Sequence, residues 1–182
     1  MVQFYSAHDE FSGNVVVFRD GQILCNESHG FANQEWHVPN AASTRFAIGS
    51  VTKQLTAAAI MILQEQGRLR TSDSISRYYK QSPAAWSGIT IRELLLHTSG
   101  IPEDIFPAGS VGFEQGSHTP QEAVEAVTHK PLTAPPGTQT EYHNVEYVLL
   151  GLIIEQVSGQ SYASFLKQHF FQPLGMLDTG VG

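Results

Sequence analysis

A serine and a lysine three positions apart, Ser50 and Lys53, stand at the start of a long apolar segment. This segment covers residues 51–66, ends at Gly67, and repeats its apolar residues at the spacing of one helical face. Its middle is apolar nearly all round, which predicts a buried central helix. Positions three apart share one side of a helix, so we expect Ser50 and Lys53 to lie together at its first turn.

Two interpretations of Ser50 are open from these residues. The first makes it an N-cap, but a capping box has Glu or Gln at the position that Lys53 occupies. The chain has the ordinary capping box elsewhere, at Thr90 with Glu93 and at Thr119 with Glu122. The second makes Ser50 a nucleophile that exchanges a proton with Lys53. A cation in the first helical turn is unfavourable by about 0.3–1 kcal/mol, which weighs against a purely structural lysine.

Size and charge exclude several classes of protein. A length of 182 residues suits one domain with its own core. The net charge of −7 and only ten scattered Lys and Arg residues argue against a nucleic-acid or anionic-membrane surface. No stretch is long and apolar enough to span a bilayer. Residues 1–10 show no signal peptide, so we expect a cytoplasmic protein, or an exported one whose signal has been removed.

Cysteine and histidine give no sign of a disulfide or a metal site. Cys25 is alone and lies in a predicted strand, so we expect a plain packed thiol. The histidines at 8, 29, 37, 118, 129, 143 and 169 lack the close, same-face spacing of metal ligands. His97 lies at a predicted helix C-terminus, where its side chain can bond the last carbonyls, and we expect a structural role. We predict no metal and no cofactor.

The predicted order of elements is one β-hairpin followed almost entirely by helices. Asp20-Gly21 is a strong turn signal between strands at residues 14–18 and 22–28. Helices are predicted over residues 51–66, 90–97, 120–129, 145–157 and 161–171, with a surface loop over 101–118. The apolar run at residues 15–18 is typical of a strand buried on both faces. Because two strands alone are not stable, we expect part of the sheet to be missing from this chain.

A second polar group, Tyr142-His143-Asn144, follows a Pro-Gly turn and precedes an apolar helix. Taken alone, Asn144 can be an N-cap and Tyr142 a half-buried aromatic. Six ordered segments, however, resemble the serine β-lactamase-like, penicillin-recognising family. They are Phe11-Ser-Gly-Asn-Val-Val-Val, Arg45-Phe-Ala-Ile-Gly-Ser-Val-Thr-Lys53, Leu94-Leu-Leu-His-Thr-Ser-Gly100, Pro136-Gly-Thr, Tyr142-His-Asn144 and Pro173-Leu-Gly-Met176. The Tyr-x-Asn version resembles the branch of class C β-lactamases, D,D-peptidases and β-lactamase-fold esterases.

The resemblance implies an α+β fold, an antiparallel sheet with helices, and an acyl-enzyme on Ser50. It implies that Lys53 holds the proton network and that Tyr142 is the general base and later the acid. Asn144 would orient Lys53 and bind a substrate amide. His143 fills the variable middle position and is expected to be exposed. The substrate would be a β-lactam, a D-Ala peptide or a small ester, with a slight preference for esters.

One family motif, Lys-Thr-Gly or His-x-Gly, does not occur downstream of Tyr142. We therefore expect an incomplete domain over residues 1–182, divided into 1–67, 68–144 and 145–182. The resemblance assigns one oxyanion-hole donor to the strand with that motif, so the isolated chain should turn over little substrate. The alternative is a non-catalytic binding module with the same fold. The incomplete sheet also predicts self-association or complementation by a second chain.

Overall fold

The computed structural model describes residues 2–8, 10–103 and 119–181, which divide into two compact units, Met1–Ile48 and Gly49–Gly182. The predicted surface loop at 101–118 lies outside the described residues from position 104 onwards. The division of the chain at residues 67 and 144 stays a prediction. The predicted combination of helices with antiparallel strands is observed.

The first unit is built on the predicted hairpin. Helix α1 (Val2–Ala7) precedes strands β1 (Gly13–Arg19) and β2 (Gln22–His29), which pair antiparallel with a bulge after Val17. The turn between them holds Asp20 and Gly21 at positive φ, as this type of hairpin requires. Two short strands, β3 (Phe31–Asn33) and β4 (Val38–Pro39), form a separate antiparallel pair that the sequence did not predict.

The apolar run in β1 is not buried in this structure. Val16, Val17 and Phe18 are all exposed, and so are Ile23 and Leu24 on the neighbouring strand. In this chain the continuous apolar run therefore belongs to a two-stranded ribbon, and its side chains are exposed. The expectation of a strand buried on both faces is wrong for the structure described.

The second unit is helical and follows the predicted order. A 3₁₀ turn at Gly49–Val51 leads into α2 (Thr52–Glu65), and two further 3₁₀ turns lie at Ile75–Arg77 and Ala84–Trp86. Then come α3 (Ile91–Leu95), α4 (Pro120–Thr128), α5 (Asn144–Ser158) and α6 (Tyr162–Leu166), with a π-helical turn at Lys167–Phe171. Both predicted capping boxes form, at the starts of α3 and α4.

The core of this unit surrounds α5, which packs against α2, α3, α4 and α6. Helix α2 buries four side chains at positions i, i+3, i+4 and i+7, namely Thr56, Ala59, Ile60 and Leu63. Its outer face is open, since Met61 is exposed. The prediction of a buried helix therefore holds for one face and not for the whole circumference. Packing α2 against α5 places Ser50, just before α2, in contact with Tyr142, just before α5.

Candidate active site

Ser50 lies in the 3₁₀ turn that immediately precedes α2. The N-cap of α2 is Val51, and no side chain makes a capping hydrogen bond there, so the N-cap interpretation of Ser50 is wrong. Gly49 has a φ of +50° with open space around its α-carbon, so the left-handed backbone and not crowding favours glycine here. This turn leaves the Ser50 side chain exposed at the helix entrance.

The four site residues predicted from the sequence lie together. The Ser50 Oγ is 2.6 Å from the Tyr142 Oη, and the Lys53 Nζ donates to the Ser50 Oγ over 3.3 Å. The same ammonium donates to the Asn144 Oδ1 over 2.7 Å. It also lies 4.6 Å from the ring centroid of Tyr142, within cation–π range. Asn144 is the first residue of α5 and not its N-cap, which is His143.

The electrostatics of Tyr142 favour loss of its proton. Hydrogen bonding with Lys53 and then with Ser50 lowers the pKa of the Tyr142 phenol. A second hydroxyl pair on α2 offers a direct comparison, since the Thr56 Oγ1 is also 2.6 Å from the Tyr162 Oη. There, burial raises the pKa of Tyr162. Both tyrosines have the short contact with a hydroxyl, so the opposite shifts of their pKa values reflect Lys53 beside Tyr142 and the burial of Tyr162.

The segment before Tyr142 is anchored on the chain that follows α3. The Gly137 N–H donates to the carbonyl of Thr98 over 2.7 Å, and the Thr133 N–H donates to the carbonyl of Gly100 over 2.8 Å. Gly100 has a φ of +73°, and a β-carbon there would clash with the carbonyl oxygen of Ala134. The segment with the His-Thr-Ser-Gly motif is thus hydrogen-bonded to the segment with the Pro-Gly motif.

His143 is buried, contrary to the prediction that it is exposed. It retains only 8% of its accessible surface, and its imidazole Nδ1 contacts the carbonyl oxygen of Ile101 at 2.6 Å. Successive side chains of an extended segment point to opposite sides, so Tyr142 faces outwards while His143 faces the interior. His143 therefore does not lie where a substrate in the cleft would touch it.

A buried acid, Glu146, lies behind the site and was missed in the sequence. Its side chain is 1% exposed, and the Ser99 Oγ donates to the Glu146 Oε1 over 2.6 Å. Its other carboxyl oxygen makes a short contact with the His97 Nδ1. The side chain of His97 thus bonds a carboxyl, and not the last carbonyls of α3 as predicted. The only signal was an acid between Val145 and Tyr147 in a strongly apolar part of the helix.

Desolvation shifts both members of this pair towards their neutral forms. Burial raises the pKa of Glu146 to about 8, against an ordinary value of 4.5. Burial, followed by the charge of Lys53, lowers the pKa of His97.

A second carboxylate holds the start of α5. Glu103 accepts a short hydrogen bond from the backbone N–H of Asn144 at the first turn of this helix. A negative charge is favourable at a helix N-terminus, so Glu103 stabilises the turn that carries Asn144. In the described ranges no three His, Cys, Asp or Glu side chains are grouped as a metal site. The absence of a metal and a cofactor stays a prediction.

Comparison with known proteins identifies the family to which this arrangement belongs. The sequence profile named Beta-lactamase matches residues 2–182. The chain belongs to the Beta-lactamase family. Penicillin-binding protein PbpX of Bacillus subtilis is 35% identical over 170 residues, which are 93% of this chain and 41% of that protein. The predicted resemblance and fold class are therefore confirmed.

Solved structures of penicillin-binding proteins share this fold. A penicillin-binding protein from Bacillus halodurans superimposes with a TM-score of 0.86 at 29% identity, covering 100% of this chain and 57% of that one. The octameric penicillin-binding protein homologue from Pyrococcus abyssi gives a TM-score of 0.83 at 34% identity, covering 97% and 42%.

The solved structures similar to this chain also include an amidase and a hydrolase. The D-amino acid amidase of Ochrobactrum anthropi has a TM-score of 0.81 at 27% identity, covering 93% of this chain and 47% of that one. A hydrolase with promiscuous acyltransferase activity has the same score at 28% identity, covering 96% and 49%. The family is thus one of serine hydrolases.

The chain spans 41% of the length of the Bacillus subtilis relative and 34% of the Staphylococcus aureus protein flp, to which it is 32% identical. Among the described helices, none has both the length and the apolar character needed to cross a bilayer.

Proposed function

We propose that this chain carries the nucleophile and the general base of a serine acyl hydrolase, with Ser50 as the acylated residue. One observation supports this most directly: the Ser50 Oγ lies between the Tyr142 Oη, at 2.6 Å, and the Lys53 Nζ, at 3.3 Å. A nucleophile within hydrogen-bonding reach of its base is the arrangement that activates a hydroxyl. The lowered pKa of Tyr142 supports its role as the base.

The proposed reaction has two halves that use the same groups. Tyr142 takes the Ser50 proton as the Oγ attacks the substrate carbonyl, and then gives that proton to the leaving group. Water then attacks the acyl-enzyme while Tyr142 takes its proton, the ester bond to the Ser50 Oγ breaks, and Tyr142 returns the proton to that oxygen. The Lys53 charge stabilises the phenolate form of Tyr142, which is the form that accepts the proton in each half of the reaction. Asn144 fixes the ammonium of Lys53 through the 2.7 Å hydrogen bond.

The proposed substrates are esters or amides: a β-lactam, a D-Ala peptide or a small ester. The site is reached from solvent, since Ser50 and Tyr142 are both exposed. Similarity to penicillin-binding proteins and to a D-amino acid amidase supports the two amide classes. Similarity to EstCE1, a hydrolase with promiscuous acyltransferase activity, supports the ester class. The ester remains our preferred substrate class.

A non-catalytic binding module is the second candidate, and one observation favours it. The 182 residues contain no Lys-Thr-Gly or His-x-Gly after Tyr142. A carbonyl held at Ser50 would then lack one of the two expected oxyanion donors. Removal of one such donor lowers kcat by about 10²–10³. Such a module would bind substrate-like molecules and release them unchanged.

Covalent labelling decides between the two candidates. The chain and its Ser50→Ala variant are incubated with a fluorescent fluorophosphonate and, separately, with a fluorescent penicillin. The hydrolase proposal predicts a label in the wild type that is lost in the variant. Equal labelling of both chains, or of neither with either probe, supports the binding module. The penicillin arm also tests whether a β-lactam is accepted.

Self-association stays a proposal with two supports. The β1–β2 ribbon exposes five apolar side chains, and an exposed apolar strand is a surface that other chains can cover. The Pyrococcus abyssi homologue is octameric. Sedimentation of the chain over a range of concentrations tests this, and a monomer at every concentration contradicts it.

A further inference from the structure

His97 contacts the chain on both sides of Tyr142. The Glu141 N–H donates to the carbonyl of His97 over 2.9 Å, and the His143 N–H lies 3.4 Å from the His97 Nδ1. Between these bonds, the ring of Tyr142 stacks on the imidazole with 4.6 Å between centroids. Tyr142 is 55% exposed, so few contacts hold its phenol towards Ser50. His97 supplies one contact with the ring itself and one with the backbone of each neighbouring residue.

The backbone of His97 has an unusual conformation that serves these contacts. Its φ is +56°, in the left-handed region that side-chain-bearing residues adopt in only a few per cent of cases. Glu141 bonds to the carbonyl of this residue, and Glu146 and Tyr142 contact its ring. A backbone in this region persists only when its surroundings fix it, and functional sites are where such residues gather.

Glu146 fixes the imidazole from the interior. Its carboxyl contacts the His97 Nδ1 and is held on its other oxygen by the Ser99 hydroxyl, which is itself fully buried. Because the N–H of His143 also approaches this nitrogen, the Nδ1 is the acceptor and the proton between the two side chains comes from the acid. The pKa of Glu146, raised to about 8 by burial, agrees with a protonated carboxyl near neutral pH.

The charged and titratable groups around the pair come from every neighbouring element. They are Lys53 on α2, Glu103 on the chain after α3, His143 before α5 and Tyr147 on α5. Lys53 acts against a second cation beside it, since its charge lowers the pKa of His97. Glu103 acts against a second anion, since its charge raises the pKa of Glu146. The charge of Lys53 also lowers the pKa of Glu146, but burial is the larger effect and keeps this acid neutral.

We propose that protonated Glu146 donates a hydrogen bond to the Nδ1 of neutral His97, and that this pair is a positioning unit that holds Tyr142 against Ser50. The inference deepens the proposed function and rests on Tyr142 being the base. No net proton transfer is required, because the acid keeps its proton and the imidazole keeps its own on Nε2. Lys53 then remains the cation that acts on Tyr142. Ionisation of the pair would make His97 an imidazolium and place a second cation against the ring of Tyr142.

The protonation state is tested by nitrogen NMR, which does not depend on activity. In ¹⁵N-histidine-labelled protein near neutral pH, the His97 Nδ1 should show the signal of an unprotonated ring nitrogen and Nε2 that of a protonated one. The resonance is assigned by its loss in His97→Asn, since Asn tolerates the left-handed backbone. An imidazolium signal, or a protonated Nδ1, overturns the proposal even if Ser50 is never acylated.

The positioning role is tested by two substitutions of the acid and one of the imidazole. Glu146→Gln keeps a neutral donor for the Nδ1, whereas Glu146→Leu removes it and His97→Asn removes the stacked ring. We expect Glu146→Gln to preserve the Tyr142 ¹³Cζ signal, and the other two to shift it and slow fluorophosphonate labelling about 10- to 100-fold.

The pair Glu27–His29, in which only the acid is exposed, provides the matched control, with the His29 Nε2 3.0 Å from the Glu27 carboxylate. Glu27→Gln should change neither the Tyr142 signal nor the labelling rate. An unchanged Tyr142 signal in folded His97→Asn contradicts the positioning role. If Glu146→Leu does not fold, the nitrogen signal of the wild type still tests the protonation state. The Tyr142 signal and the labelling rate of Glu146→Gln still test the positioning role. Absence of labelling in the wild type contradicts the proposed function alone.

Discussion

The hydroxyl of Ser50 lies 2.6 Å from the hydroxyl of Tyr142, although 92 positions separate them in the chain. Thr56 and Tyr162 form a second hydroxyl pair at the same distance. The two tyrosines differ in what surrounds them. Lys53 and Ser50 lower the pKa of Tyr142, and burial raises that of Tyr162. One pair is therefore suited to proton transfer and the other to packing, which makes them natural controls for each other.

Removal of the Tyr142 hydroxyl should slow acylation of Ser50. Loss of a general base lowers the rate by about 10²–10⁴. In Tyr142→Phe we expect fluorophosphonate labelling to slow within this range, with little change in the unfolding midpoint. Tyr162→Phe should do the reverse, with normal labelling and a fold destabilised by about 0.5–1.5 kcal/mol through one lost hydrogen bond. Equal labelling rates in the two variants would contradict the role of Tyr142.

Removal of the Lys53 charge should make Tyr142 less acidic. The ammonium is the first cause of the lowered pKa of Tyr142, so Lys53→Met should raise that pKa. The measurement is a pH titration of the Tyr142 ¹³Cζ signal, assigned by comparison with Tyr142→Phe. Lys167→Met, at an exposed lysine, is the control. A pKa of Tyr142 that is the same in Lys53→Met and the wild type would remove the basis of the proposed base.

The buried carboxyl of Glu146 should make the fold less stable as the pH rises. The pKa of Glu146 in the folded chain is about 8, against an ordinary value of 4.5. Its contribution to the free energy of unfolding is therefore present in full below about pH 4.5, and it is lost as the pH rises through 8. The lowered pKa of His97 acts in the opposite sense, and only below its ordinary value of 6.5. Between 6.5 and 8 the Glu146 contribution therefore falls by at most about 1.4 kcal/mol per pH unit.

Urea unfolding followed by the fluorescence of buried Trp86 measures this slope. Glu146→Gln cannot ionise and should lose the contribution, which leaves a flatter profile than the wild type between pH 6.5 and 8. Glu27→Gln should keep the wild-type profile. Parallel profiles for wild type and Glu146→Gln would show that Glu146 is already ionised in the folded chain.

Local sequence rules predicted the elements that carry the site. The Asp20-Gly21 turn, the two capping boxes and the apolar runs of α2 and α5 all depend on neighbouring residues, and each predicted element is observed. The resemblance of six ordered segments to a known family then implied that Ser50 and Tyr142 would meet. The local elements could be predicted because each depends on a short, regular spacing of residues.

The environment of the site could not be predicted in the same way. Glu146 follows no apolar period, and its buried position depends on Ser99 and His97 from a distant part of the chain. The orientation of His143 depends on which face of one extended segment packs inwards, and a single residue of shift reverses it. Exposure of the apolar run in β1 depends on which strands pair beside it. These are tertiary properties that no local pattern contains.

The 182-residue chain should turn over an ester slowly, because acylation and deacylation both pass through an oxyanion. Without the Lys-Thr-Gly or His-x-Gly segment in its sequence, one expected oxyanion donor is missing, which lowers kcat by about 10²–10³. We therefore expect hydrolysis of p-nitrophenyl butyrate to be little or no faster with the wild type than with Ser50→Ala. Rapid ester hydrolysis that disappears in Ser50→Ala would show that these residues form a complete oxyanion site.

The acylated residue is the most direct test of the central claim. The wild-type chain is reacted with a fluorophosphonate, its intact mass is measured, and the adduct is located by peptide mass spectrometry. We predict one adduct, on the peptide that contains Ser50, with its rate lowered in Lys53→Met and in Tyr142→Phe. A chain that gains no mass, or that carries the adduct on another hydroxyl, would contradict the account.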